Sequence, residues 1–185
     1  MAASGSSDGD SRWQVLGKRV IYHSPWVGLE QWSVRLPDGT VIPDHHVVVY
    51  PRQAVGIVPR DSAGRLLLID HYRFITGSRG WEIPAGQVEE NETVAEAASR
   101  ELLEETGHRA DQWKTLGFYH PSNGSSNQQF HVMVAEGLHR VTEVADTNET
   151  IGCRWFAADE ARGMLARNEI RDGFSITALL WALLA

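Results

Sequence analysis

Apolar and polar residues alternate from Trp26 to Leu36, Pro37-Asp38-Gly39 breaks the run, and a second extended stretch follows from Val41 to Tyr50. A period of two sends successive side chains to opposite faces, and Pro-Asp-Gly supplies a turn. The pattern therefore predicts an outgoing and a returning strand. Strand-like character begins at Trp13. The stretch is a small antiparallel unit, marginal alone, that must pack on the rest of the chain or on another subunit.

Beyond Pro51 the pattern changes. Ala54 to Pro59 and Leu66 to Tyr72 predict strands around an Asp61-Ser62-Ala63-Gly64 turn, and Trp81 to Pro84 is short and extended. Thr93 to Thr106 predicts a helix. Thr93 and Glu96 have capping-box spacing, and Gly107 suits the left-handed conformation just past its end. Further strands are expected at Thr115 to Tyr119, Phe130 to Glu136 and Ile151 to Phe156. Two helices close the chain, one from about Asp159 to Arg167, the other from an N-cap near Ser175 through the apolar run Leu179 to Leu184. Strands and helices mix without a βαβ rhythm. The expected fold class is α/β (α+β): a mixed β-sheet sandwiched between helices, with a small N-terminal antiparallel β segment. The expected division is a flexible tail at 1–11, the β segment at 12–50 and the main domain at 51–185.

Composition narrows the function. A chain of 185 residues fits one domain with a small appendage. The net charge of −7 disfavours nucleic acid as a partner, because an acidic surface gains nothing from counterion release. No apolar run reaches the roughly 18 residues of a membrane span, so no membrane partner is expected. The polar N-terminus MAASGSSDGD lacks the apolar segment of a signal peptide, and Cys153 is the only cysteine. Both suit the cytoplasm. Cys153 falls in an expected strand, as inert core.

The informative stretch is Gly86 to Gly107, GQVEENETVAEAASRELLEETG, with seven carboxylates in 22 residues. At about 100° per residue, Glu101, Glu104 and Glu105 fall within an arc of roughly 100° that also holds Val94, Ala97 and Ala98. A solvated acidic face would keep carboxylates away from small and apolar positions. Clustered carboxylates on a semi-buried face repel one another, and a hard divalent cation with oxygen ligands relieves that conflict. Before the helix, Gly86 lets the backbone turn closely, so the Ala85 carbonyl can join a metal shell. Arg100 and Glu92 are placed to pair across the loop–helix junction.

These residues resemble the Nudix box, G-x5-E-x7-R-E-U-x-E-E-x-G-U, where U is a bulky aliphatic residue. Gly86, Glu92, Arg100, Glu101, Leu102, Glu104, Glu105 and Gly107 match in register, and only His108 departs, at a packing position. The resemblance implies the Nudix fold, with magnesium (or manganese) bound by Glu101 and Glu105, Glu104 assisting and the Ala85 carbonyl contributing. Glu104 and Arg100 also count among the catalytic candidates. DHYRFITGSRGWEIPAG, residues 70 to 86, is similar to the ADP-ribose and nucleotide-sugar pyrophosphatase branch. That branch implies a small-molecule nucleotide substrate and a homodimer built through the N-terminal β segment. It makes Arg73, and more weakly Arg79, candidates for binding the diphosphate, with a salt bridge at a strand end as the alternative for Arg73 and an exposed turn for Arg79.

The loop HPSNGSSNQ, residues 120 to 128, stands where ADP-ribose hydrolases often carry Ser-Pro-Gly. It is either a simple turn or a substrate-contacting loop through Ser125. In ADTNETIGCRWF, residues 145 to 156, the branch layout suggests Glu149 as the residue that takes the water's proton, with Asp146 and Glu143 as alternates. Trp32, with Trp13 and Trp26, offers a ring for base stacking, and His45 and His46 sit near the subdomain junction. The rival class is a nucleotide sensor that binds without cleaving. Retention of every box carboxylate argues for the enzyme.

Overall fold

The computed structural model describes residues 12–143 and 150–185. The expected tail at 1–11 lies outside these residues, as do Asp146 and Glu149. The chain divides into two units, one of the residues up to Pro51 with Ser122–Gln128, the other of Arg52–Pro121 with Gln129–Ala185.

The first unit is an antiparallel sheet in the order β1 (Gln14–His23), β2 (Gly28–Arg35), β3 (Val41–Val49). The Ser24 hydroxyl accepts from the Trp26 and Val27 N–H groups and tightens the first turn. In the second, the Asp38 carboxylate accepts from Thr40 N–H at 2.9 Å, and these Thr40 bonds hold its pKa below the ordinary value. Segment 122–128 joins this unit. The Ser125 carbonyl accepts from Val48 N–H at 2.9 Å, and the Asn127 side chain accepts from Tyr50 N–H at 2.7 Å.

The second unit holds two sheets and three helices. One sheet runs β7 (Ala85–Gln87), β4 (Ala54–Pro59), β9 (Phe130–Arg140), β8 (His108–Tyr119). β4 and β9 are parallel and the other pairs antiparallel. The other sheet runs β10 (Thr150–Phe156), β5 (Leu66–Arg73), β6 (Ser78–Glu82), all antiparallel. The helices are α1 (Val94–Thr106), α2 (Ala158–Ala166) and α3 (Gly173–Leu184). Strand alternation divides the core in two. Val55 and Ile57 of β4 and Met133 and Ala135 of β9 pack with Ala97, Ala98 and Leu102 of α1. Val58, Val132 and Val134 pack instead with Phe174, Ala178 and Leu179 of α3 and Met164 of α2. The strands are apolar on both faces because both faces are covered.

Helix α1 starts as expected. Thr93 and Glu96 form a reciprocal capping box, and Gly107, at φ 71°, ends the helix in the left-handed conformation. Three expectations are corrected. The strand expected from Thr115 begins at His108, directly after the helix, and pairs along β9 through a bulge at Thr115/Gly117. Its surface-facing polar residues hid the period. The cap of α3 is Asp172, whose carboxylate accepts from Ser175 N–H and Oγ–H, each at 2.7 Å. Residues 78–80, which could have been an exposed turn, are the start of β6, because the hairpin turns at Phe74–Gly77. Cys153 is half-buried on β10, and burial pushes its thiol pKa up.

Candidate active site

The site is built where β7 leads into α1. Gly86 has no side chain for a physical reason: a Cβ there would overlap the Glu101 carboxylate. Ala85 N–H donates to Glu105 Oε2 at 2.8 Å, and Glu105 is buried. The loop and the helix are thus joined through Glu101 and Glu105, two of the expected metal ligands.

Arg100 organises the acids. Its Nε and Nη2 reach the two Glu92 oxygens at 2.9 and 3.0 Å, and Nη2 also donates to the Gln87 carbonyl at 3.0 Å. Nη1 lies between Glu101 Oε1 at 2.7 Å and Glu104 Oε2 at 3.2 Å. Bonds to Glu92 and Glu101 hold the guanidinium well above its usual pKa, and Arg100 in turn holds Glu92 below the usual carboxylate range. Among the described residues, no three His, Cys, Asp or Glu side chains are gathered into a group that holds a metal ion. Glu101 and Glu104 converge on the guanidinium instead. In kind, the donor set fits a hard divalent cation: carboxylate oxygens on one helix face, beside a glycine that leaves Glu101 its place.

Arg73, at the end of β5, forms an ion pair with buried Glu82, its Nε and Nη2 both donating to Oε2, at 3.0 and 2.6 Å. Burial works against its charge, but the Glu82 bond, helped by the charges of Asp172 and Glu105, holds its pKa above the ordinary value. Among the residues of α1, it is Glu105 whose charge reaches Arg73. Arg79 pairs with Asp70 at 2.5 and 2.8 Å. Arg73, Arg79 and Glu82 line an open cavity of about 520 Å³ together with Glu169, Arg171, Asp172 and Gly173.

In the first unit, Trp32 and Ser125 line one cavity of about 240 Å³ together with Trp13 and His45. Trp32 donates its indole N–H to Glu30 at 2.7 Å, and Lys18 Nζ sits 3.9 Å from its ring centroid. His46 contacts Gln31 at 3.1 Å, and it is its neighbour His45 that lines this cavity. Glu143 pairs with Arg140 on the surface. Glu149 lies outside the described residues.

The model of the NUDIX domain matches residues 50–178. The chain belongs to the Nudix family. A second model, the nucleoside diphosphate sugar hydrolase N-terminal domain, matches residues 13–48 of this Nudix hydrolase. It is 34% identical over 167 residues to a CMP-5'-(N-acetyl-N-hydroxy-3-aminopropyl)phosphonate hydrolase of Streptomyces rubellomurinus, covering 90% of this chain and 78% of that one. It is 30% identical to an ADP-ribose pyrophosphatase of Mycobacterium tuberculosis, covering 90% and 81%. A crystal structure of an ADP compounds hydrolase shares the fold, with a TM-score of 0.81 at 21% identity over 93% and 92% of the two chains. The enzyme is an ADP-ribose pyrophosphatase-like Nudix hydrolase. No helix among the described residues is long and apolar enough to cross a membrane.

Sequence reasoning missed Glu82 and Asp172. Glu82 had a legible signal, a lone acid between Trp81 and Ile83 in a short strand. Such a carboxylate is buried and needs a cation. Asp172 had none, since its role depends on α3 meeting the hairpin.

Proposed function

We propose that this hydrolase cleaves the diphosphate bond of a nucleoside diphosphate linked to a second group, as in ADP-ribose or a nucleotide sugar, giving a nucleoside monophosphate and a sugar phosphate. The observation that carries the reading is the intact acid face of α1, with Glu101 and Glu104 gathered on Arg100, Glu101 beside Gly86, and buried Glu105 accepting from Ala85 N–H. The two family models and the curated relatives support the substrate class.

Magnesium, with manganese as its alternative, would be held by Glu101 and Glu105, with Glu104 and the Ala85 carbonyl assisting. When bound, it would neutralise diphosphate charge and acidify a water. Arg73, already oriented by Glu82, offers its remaining N–H donors to a phosphate oxygen. Arg100 keeps the acid side chains in place by balancing their charge. Water oxygen attacks one phosphorus, the bridging P–O bond breaks, and the bridging oxygen leaves on the other phosphate. Glu149 accepts the water's proton, because a carboxylate committed to a cation is a poor base. The cavity of Trp32 and Ser125 offers a ring and hydroxyls to a base, and His46 and Arg79 are further substrate-contact candidates.

The chain works as a homodimer in this reading. β1 leaves Val15, Leu16, Val20, Ile21 and Tyr22 exposed. A second copy would cover them.

The test is a hydrolysis screen with magnesium over ADP-ribose, nucleotide sugars, reduced dinucleotides, dinucleoside polyphosphates and oxidised nucleoside triphosphates. Preferred turnover of the first two groups supports the reading, and preferred turnover of a triphosphate sinks it. Glu149→Gln should lower kcat strongly at unchanged substrate affinity. Full activity in that variant, beside an inactive Glu101→Gln, moves the base into the box.

A further inference from the structure

Residues 82–85, which lead from β6 into β7, are each bound to a different element. The Glu82 carboxylate accepts from Arg73 of β5, and Ile83 N–H donates to Ser175 Oγ of α3 at 3.0 Å. The Pro84 carbonyl accepts from Ile57 N–H of β4 at 2.9 Å, and Ala85 N–H donates to Glu105 of α1 at 2.8 Å. We propose that the Ser175 hydroxyl is a positioning group of the active site, one that sets this linker and with it the place of Ala85 and Glu105 relative to Arg73. This rests on the hydrolytic reading above and adds to it a residue that acts through others.

The linker needs such a hold because it leaves one sheet and enters another. Glu82 pairs with Ile69 at the end of the β5–β6 ladder, and Ala85 pairs with Gly56 at the start of the β4–β7 ladder. Ile83 and Pro84 lie between the two. Proline has no N–H to give. The Ile83 N–H is buried, and a buried backbone donor must find an acceptor outside the ladders. Packing presses the two segments together. A Cβ on Gly56 would come within 2.6 Å of Ile83 Cδ1 and 2.8 Å of the Phe174 ring, so the glycine lets the linker and the start of α3 meet on β4.

The helix itself does not need this hydroxyl. Asp172 caps α3 by accepting from Ser175 N–H at 2.7 Å, a backbone bond that any residue but proline supplies. The hydroxyl donates to the same Asp172 oxygen at 2.7 Å and accepts from Ile83 N–H. Ser175 is fully buried, where a hydroxyl is unfavourable unless its bonds are made. Alanine would serve the cap, and serine adds the hold on Ile83. Donation to Asp172 turns the oxygen's lone pairs toward the linker and so fixes the direction of that hold.

The effect falls on the acid end. Arg73 and Glu82 stay held by the β5–β6 ladder, whereas Ala85 sits two residues past Ile83 on a strand of three residues. Released from Ser175, the linker lets Ala85 and the Glu105 carboxylate bound to it shift from the arginine. Misplacing reacting groups by about 1 Å can lower a rate about a hundredfold.

The test is Ser175→Ala, with Ala182→Gly as the control for lost stability, since it weakens α3 near its other end. Hydrogen exchange read by NMR on the metal-free protein should show the Ala85 amide exchanging at least about tenfold faster in Ser175→Ala and unchanged in Ala182→Gly. Kinetics with magnesium use whichever of ADP-ribose and ADP-glucose turns over faster. In Ser175→Ala, kcat should fall about tenfold while KM moves less than about threefold, because the arginine end stays in place. An Ala85 amide as protected as in the wild type, an unchanged kcat, a loss carried by KM, or an equal loss in Ala182→Gly overturns the proposal. Ser175→Cys keeps the side chain's shape but accepts only weakly, and it serves with the same expected losses if Ser175→Ala fails to fold. Exchange does not depend on turnover, so it separates the proposal from the hydrolytic reading. Wild-type protein that cleaves neither substrate sinks the hydrolysis, while faster Ala85 exchange in Ser175→Ala leaves the hold on the linker standing.

Discussion

The two units of this chain solve the burial problem in opposite ways. In the second, β4 and β9 carry apolar residues on both faces, and helices cover both. In the first, all ten residues of β1 are exposed, and the buried apolar positions of the sheet are Val34 and Val47. The second unit has the closed core of an independent domain. The first has the composition of a core and the exposure of a surface. An apolar strand left open on both faces marks a place to be covered. The contrast is that the closed apolar core lies in the second unit, while β1 of the first leaves its apolar residues exposed. Predictions that separate the two rank as follows.

The largest effect belongs to the α1 side of the core. Leu102 is fully buried against β4 and β9. Leu102→Ala should cost about 2–5 kcal/mol of unfolding free energy, the range for a large-to-small change that leaves a cavity. Urea denaturation measures it. A loss below about 1 kcal/mol would mean that this core is looser than its packing.

Next is the chemistry carried by the same helix. Glu105→Gln keeps side-chain shape and removes one charge from the acid face. Turnover should fall at least about a hundredfold, the usual scale for a lost electrostatic contact in an active site. Near-normal rate with unchanged magnesium dependence would remove Glu105 from the site.

The open strand comes third. Sedimentation at micromolar concentration should show a dimer. Val20→Asp places a charge on exposed β1 and should weaken that dimer at least about tenfold, because a lost apolar contact and a desolvated charge act together. The melting of the second unit's core should move little. A wild-type monomer with full activity would break the comparison, since the open sheet would then need no cover.

Much of this was legible in the chain, and the limits have physical causes. Helix α1 was plain because its capping box, its glycine and its acid spacing all lie within one segment. The turn between β2 and β3 was plain for the same reason. The start of β8 was hidden because its apolar residues, Ala110 and Trp113, are few and stand among exposed polar ones. Segment 122–128 sits far along the chain from the sheet it joins, and no local signal places it there. The site divides in the same way. The Glu92–Arg100 pair spans eight residues and was foreseen. The cavity between β6 and residues 169–173 joins segments about ninety residues apart, as does the bond from Ile83 N–H to Ser175 Oγ at 3.0 Å. Only the fold brings them together.

The smallest effect tests the clamp that ties the loop to α1. Arg100 lowers the Glu92 pKa, chiefly by direct hydrogen bonding. A carboxylate with a depressed folded-state pKa contributes stability that is present above its unfolded value, about 4.3, and is lost as pH falls through the folded value. Glu92→Gln removes that contribution, so the difference between wild type and variant should be flat near neutral pH and shrink below about pH 4. Its size should be about 1 kcal/mol or less, because the pair is partly open to water and screened. Thermal melts of both proteins from neutral pH down to the acid limit of folding measure it. A difference that grows on acidification would mean that Glu92 binds its proton more readily in the folded chain, and that the Arg100 clamp is not what holds the loop.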